Sequence, residues 1–301
     1  MECGVALQLG IRLLSGMRND HATGDKLGGT EMANIYDVIM SRKSVRTFDG
    51  KGITPEDRES IEKYIDSISN PFDIPVKFVL LDADEFGLSS PVLSGEKLYV
   101  TGIVDKVPLS DAAFGYSFEK LVLYAWSLGI GTTWIGGTMK RENFEKAAGL
   151  REGERMPCIS PLGYPGKRSI KETLMRKGVK ADDRKPVEAF FLGADLKPAE
   201  IGSNGLRRAL ELVRWAPSAV NKQPWRIIRD INEDGKFHFY EAKDKGYVSE
   251  EVGDMQKIDI GIALCHFMIG LGEEGMAPGF AIRDPGYEVP ENMEYIATVT
   301  L

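Results

Sequence analysis

Two long stretches of this chain are apolar on nearly every face. Residues 111–128 read DAAFGYSFEKLVLYAWSL and residues 258–271 read IDIGIALCHFMIGL. A surface helix keeps a polar side, so all-round apolarity at helical length predicts two helices buried on every side. Gly129 supplies a stop for the first. Shorter runs rich in β-branched and aromatic residues predict strands at 76–81, 156–162, 225–229, 236–241 and 295–301. The turn signal Asn232-Glu233-Asp234-Gly235 lies between two of them. A further helix begins at Thr54-Pro55-Glu56-Asp57. There threonine can cap, proline suits the first turn, and the acids favour the positive end of the helix dipole.

These elements recur in order. Residues 42–48 read RKSVRTF, and residues 184–190 read RKPVEAF, 142 positions later. IEKYID at 61–66 precedes Pro75 and a strand, and LELVRW at 210–215 precedes Pro224 and a strand, both pairs sharing an offset of 149. Each half reads as basic segment, helix, short loop, proline, strand, buried helix and final strand. That order predicts an internally duplicated α+β unit. Generic alternation of helices and strands is the plainer alternative. The expected division is a flexible N-terminal extension at 1–31, a first half at 32–168 and a second, degenerate half at 169–301, intertwined with the first. Where the first basic copy has Ser44 and Arg46, the second has Pro186 and Glu188. If the segment binds an anion, the second copy is crippled, because a carboxylate repels a phosphate.

Bulk properties narrow the function classes. The net charge of −7 lacks the basic excess that phosphate contacts demand, which argues against a nucleic-acid partner. Cys3, Cys158 and Cys265 are far apart and form no CxxC pair, so a reducing, cytoplasmic setting is expected. His21, His238 and His266 show no metal-ligand spacing, and no metal is expected. No apolar run reaches the ~20 residues of a membrane span. Residues 5–14 are mildly apolar, but Arg12 interrupts them and no small-residue cleavage site follows.

The most distinctive stretch is APSAVNKQPW at 216–225. Ser218, Asn221 and Gln223 place hydroxyl and amide groups on a loop that prolines hold in shape, a set suited to a flat heteroaromatic ring. By composition alone the stretch also describes an ordinary turn. Taken together, RKSVRTF and APSxNxQPW resemble the FMN-dependent nitroreductase family, in its single-chain, internally duplicated branch. LGIGTTWIGG at 128–137 and LGYP at 162–165, with a basic residue after it, extend the resemblance over about residues 34–301. The GxG of Gly129 and Gly131 lacks the third glycine of a dinucleotide fingerprint.

The resemblance implies a nitroreductase-like α+β fold in which two related halves form an intramolecular pseudo-dimer, with central antiparallel sheets flanked by helices. It implies FMN as cofactor, NAD(P)H as electron donor and a ping-pong, two-electron reduction of an electron-poor small molecule such as a nitroaromatic or quinone. No catalytic side chain is assigned, because flavin is the reactive group. An internal pseudo-dimer makes a monomer the expected state. Arg42, Ser44 and Arg168 are the phosphate candidates, with Lys43 and Lys167 as helpers. Arg46 would stand nearer the pyrimidine edge. Trp134, Ile135, Gly136 and Gly137 match the segment beneath the ring, where glycine permits close backbone approach. Pro217, Ser218, Ala219, Asn221 and Gln223 would contact the ring from the other half. The equivalent loop of the first half has Ile68, Phe72 and Ile74 where Pro217, Asn221 and Gln223 stand. One working site is therefore expected, with Arg46→Glu abolishing flavin retention and Arg184→Glu sparing it. Reductive dehalogenation or other flavin chemistry, a non-catalytic flavin-binding module and a degenerate structural protein are the rival readings.

Overall fold

The computed structural model describes residues 34–301, and of Ile170 and Lys171 the backbone only. The extension expected at 1–31, with Cys3 and His21, lies outside the described residues. In chain order the elements are α1 (Ile35–Ser41), α2 (Pro55–Ser67), β1 (Lys77–Asp82), α3 (Ala83–Phe86), β2 (Leu98–Asp105), α4 (Ser110–Ser127), α5 (Arg141–Ala148), β3 (Glu154–Arg155) and β4 (Ile159–Leu162). The chain continues with α6 (Ile170–Gly178), β5 (Phe191–Leu192), α7 (Asn204–Trp215), β6 (Trp225–Arg229), β7 (Lys236–Ala242), β8 (Val248–Ser249) and β9 (Gly253–Asp254). It ends with α8 (Met255–Glu273), β10 (Gly279–Ala281) and β11 (Met293–Thr300).

Local signals set several boundaries. The Thr54 hydroxyl accepts the Asp57 amide N–H and Pro55 opens α2, as the sequence predicts. Gly129 takes the left-handed conformation just after α4, at φ 77°. The strand expected at 156–162 shrinks to Ile159–Leu162, since Pro157 has no N–H to give a ladder.

One sheet pairs β1 with β2 antiparallel, from Lys77↔Ile103 to Asp82↔Leu98, and β2 also pairs with β3 and β4. A second sheet has the order β10-β11-β7-β6-β5, and β8 pairs with β9 in a small two-stranded sheet. The expectation of antiparallel sheets needs one correction: β5 and β6 are parallel, Phe191 facing Ile227. Helix α7 carries the chain back to the starting end between them, as a parallel pair requires.

The two all-apolar stretches form the heart of the molecule. On α4, 15 residues from Ser110 to Ala125 are buried, and on α8, 15 from Gln256 to Leu271. Two glycines let the helices touch. A methyl group on Gly115 would overlap the Ile258 carbonyl oxygen, and one on Gly261 would overlap that of Ala112. The contacts are reciprocal, because Ala112–Ile258 and Gly115–Gly261 are both separated by 146 positions. The Tyr36 hydroxyl on α1 adds a tie to the later elements, donating to Glu274 at 2.6 Å. Arg208 pairs with the same carboxylate, and these partners hold the Glu274 pKa down at about 2. Among the described residues no helix is long and apolar enough to cross a membrane.

Candidate functional site

Segment 42–48 begins where α1 ends and runs extended between two other chain segments. Val45 N–H donates to the Thr132 carbonyl at 2.9 Å, and Ser44 forms a bridge with Thr132. Gly131 must be a glycine for this approach, since a Cβ there would sit 2.8 Å from Val45. On the other side Gly166 N–H donates to the Thr47 carbonyl at 2.8 Å, and Phe48 bridges Pro165. The structure therefore brings Arg42, Lys43, Ser44 and Arg46 beside the turn that leads to Trp134, Ile135, Gly136 and Gly137. It also brings them beside the arm carrying exposed Lys167 and Arg168. A Cβ on Gly136 would lie 3.8 Å from Met255 Sδ, so this turn meets the first residue of α8.

The loop after α7 is strained. Val220, Asn221 and Gln223 all have positive φ, at 43°, 60° and 53°. Such backbone persists only where its surroundings over-determine it, and it concentrates at functional sites. The Ser218 hydroxyl accepts the Gln223 N–H at 2.9 Å, and the buried Asp259 carboxylate accepts the Ala219 N–H at 3.0 and 3.1 Å. Burial pushes the Asp259 pKa well above the ordinary range, with the Ala219 N–H opposing.

The partners of this loop correct the sequence reading. The Asn221 amide donates to the Lys180 and Asp183 carbonyls at 2.7 and 2.9 Å, and Gln223 Oε1 accepts the Lys185 N–H at 2.9 Å. Arg184 donates to Asn221 Oδ1 at 3.2 Å and lies over the Trp215 ring at 5.2 Å. The second basic copy thus docks on the intact loop of its own half, not against residues 67–74. The physical reason is that segment 169–183 returns the chain to α7 and offers carbonyls that free amides capture. In the first half Asn70 braces its own turn, donating to the Ile74 carbonyl at 2.7 Å, while Phe72 packs edge-on against Phe280.

The two basic copies converge electrostatically. Burial lowers the Arg42 pKa, with Glu119 opposing and Arg176 assisting. Arg46 is lowered by burial, with Glu172 opposing and Arg176 assisting. Arg184 is pushed down to about 10, first by burial and next by Arg42. Three nitrogens of this group, Arg42 Nη1, Arg46 Nε and Arg184 Nε, are buried without a hydrogen-bond partner. Buried donors normally find acceptors, and guanidinium forks match phosphate oxygens. These residues fit the phosphate end of FMN. At the ring end the fit is narrower: Asn221 and Gln223 are engaged with segment 180–185, and the Trp134 indole donates to Glu119 at 3.2 Å.

Three contributors escaped the sequence reading. Glu119 is fully buried on α4, where it meets His266 Nε2 at 3.0 Å. His266 Nδ1 lies 2.8 Å from the Leu212 carbonyl, so this histidine is tied into the core as expected. The detectable signal was a glutamate inside an otherwise apolar helix. Glu172 and Arg176 lie on a segment whose path carries no motif, while Arg184 opens the second basic copy and was expected to be dispensable for flavin.

Comparison with known proteins gives the family. The model described as "Putative TM nitroreductase" matches residues 34–271. A crystal structure of a "putative nitroreductase" from Thermotoga maritima MSB8 aligns with a TM-score of 0.61 at 19% identity, covering 93% of this chain and 99% of that one. An "FMN-dependent Nitroreductase" from Clostridium difficile R20291 aligns over 44% of this chain and 88% of its own, with a TM-score of 0.39 and 16% identity. A "Putative NADH dehydrogenase/NAD(P)H nitroreductase" from Bacteroides thetaiotaomicron VPI-5482 aligns over 45% of this chain and 88% of its own, at 0.39 and 24%. No curated protein matches the chain. The architecture is thus a nitroreductase-like α+β fold, and the chain belongs to the nitroreductase family that this model describes.

Proposed function

We propose that the chain is an FMN-dependent NAD(P)H oxidoreductase with one flavin site, built between two halves that form an intramolecular pseudo-dimer. The observation that carries the reading is the trio of buried, unpartnered guanidinium nitrogens on Arg42, Arg46 and Arg184. The reciprocal contact of Gly115 with Ile258 and of Gly261 with Ala112 supports the pseudo-dimer, with halves at 32–168 and 169–301. When bound, FMN supplies hydride transfer from NAD(P)H to an electron-poor acceptor such as a nitroaromatic or quinone. The protein's own part is to hold the phosphate with Arg42, Ser44 and Arg46, and to present the backbone of 134–137 at close range. Loop 217–223 and the first turn of α8 would shield that site from water.

The test is the absorbance-derived flavin-to-chain ratio of the purified protein. One FMN per chain is expected. Two per chain contradicts the single site, and none overturns the cofactor. NAD(P)H oxidation in the presence of a quinone then separates an enzyme from a flavin-binding module without turnover.

A further inference from the structure

The segment joining the two halves crosses the electropositive region and carries charges of both signs into it. Ser169 caps α6 by accepting the Glu172 N–H at 3.1 Å, which aims the first turn of that helix at segment 42–48. Glu172 is only 4% exposed. Its carboxylate accepts the Thr47 hydroxyl at 3.1 Å, lies 3.6 Å from Arg168 Nε and stands within the field of Arg46. Arg176, one turn further along α6, is paired with Asp182 and reaches the fields of Arg42, Arg46 and Arg184. Asp182 itself is largely exposed, so Glu172 is the buried carboxylate that this segment places among the cations.

A carboxylate and a phosphate cannot share these partners without strong repulsion, because two anions a few ångströms apart in a partly buried site are little screened from one another. The cations are also more than one phosphate needs from segment 42–48 alone. Resting on the flavin reading above, we infer that the inter-half segment is a charge-exchange latch: in the free protein Glu172 sits on Thr47 of the first basic copy and pairs with Arg168, phosphate displaces it, and Arg184 and Arg176 then join Arg42 and Arg46 as phosphate partners. The second basic copy is on this view recruited into the first copy's site. This reverses the expectation that Arg184 is dispensable for flavin retention. Its Nε atom is buried and unpartnered, while its other contacts, to Asn221 and the Trp215 ring, fix where the guanidinium stands.

The experiment compares FMN with riboflavin, which has the same ring and no phosphate. The full chain is stripped of flavin and titrated with each, following flavin fluorescence, for the unmutated protein, Glu172→Gln and Arg184→Gln. Charge-assisted hydrogen bonds set the expected scale. Glu172→Gln should tighten FMN roughly tenfold, and Arg184→Gln should weaken it roughly tenfold or more. Riboflavin affinity should stay the same in all three, which also shows that the variants are folded. An FMN affinity unchanged by Arg184→Gln overturns the inference, as does an equal shift for both flavins, which would mark a general effect of the segment on folding. Failure of the parent reading looks different: the unmutated chain then takes up no FMN, and the latch falls with it.

Discussion

The loops at 67–74 and 216–224 each follow a helix and lead into a strand, yet they are built in opposite ways. The first turns on Asn70, spends that amide on its own backbone and buries Phe72 against Phe280. The second keeps three non-glycine residues at positive φ, anchors its backbone on Asp259 and uses Asn221 and Gln223 to hold a distant segment. Both loops hand the chain to a strand that pairs antiparallel with the next one, β1 with β2 and β6 with β7. The chain path therefore agrees where polar chemistry does not, and strain is concentrated in the second loop, with three residues at positive φ against Asp73 alone in the first.

The comparison breaks most severely if the halves lose their mutual contact. Gly115→Leu and Gly261→Leu should each cost about 3 kcal/mol or more in urea unfolding, since the clash is with backbone and neither helix can yield alone. Losses of very different size would show that the contact is not reciprocal in energy. Next, Arg46→Glu should lower FMN retention by roughly a hundredfold or more, because it places a carboxylate at a buried guanidinium position. Among the loops, Asn221→Ala should weaken FMN about tenfold by freeing segment 180–185, while Asn70→Ala should cost only about 1 kcal/mol of stability and spare flavin. Equal flavin loss in both would erase the functional distinction between the loops.

A pH effect should centre on Glu241. Glu241 is buried in the second half with no partner for either oxygen, and burial, then Asp254, push its pKa up to about 8 against Lys257 and Lys243. In the unfolded chain this group ionises near 4.5, so the folded state binds the extra proton between those values. Stability should therefore fall as pH rises from 4.5 toward 8, and Glu241→Gln should flatten that fall in melting curves recorded across the range. The smallest effect should come from strain itself. Val220→Gly should stabilise the chain by about 1 kcal/mol, since Val220 is exposed and β-branched at φ 43°. Asp73→Gly, at φ 55° in the first loop, should gain less, because aspartate tolerates that conformation better.

The two buried helices and most strands were legible because apolar periodicity and turn residues act locally. Thr54, Pro55 and Gly129 behave as their chemistry dictates. The grouping of Arg42, Ser44 and Arg46 with 134–137 and 167–168 was implied by the family resemblance, and these segments do lie side by side. What sequence could not give was the path of residues 169–185. Glu172 and Arg176 lie on an amphipathic surface helix like many others, and only the return of the chain places them by Arg46. The pairing of Asn221 with Arg184 is hidden from the sequence for the same reason: an intact motif tells which groups are available, not which of two basic copies arrives.

The glycine crossing between α4 and α8 is made within one polypeptide. An assembly of two identical chains with such a crossing would carry every substitution twice, once on each side of the axis. Here each substitution falls once. Glu188 can replace an arginine in one copy while Arg46 stands in the other, and Val220 strains a single loop. The crossing also cannot be parted by dilution, so melting should not depend on protein concentration.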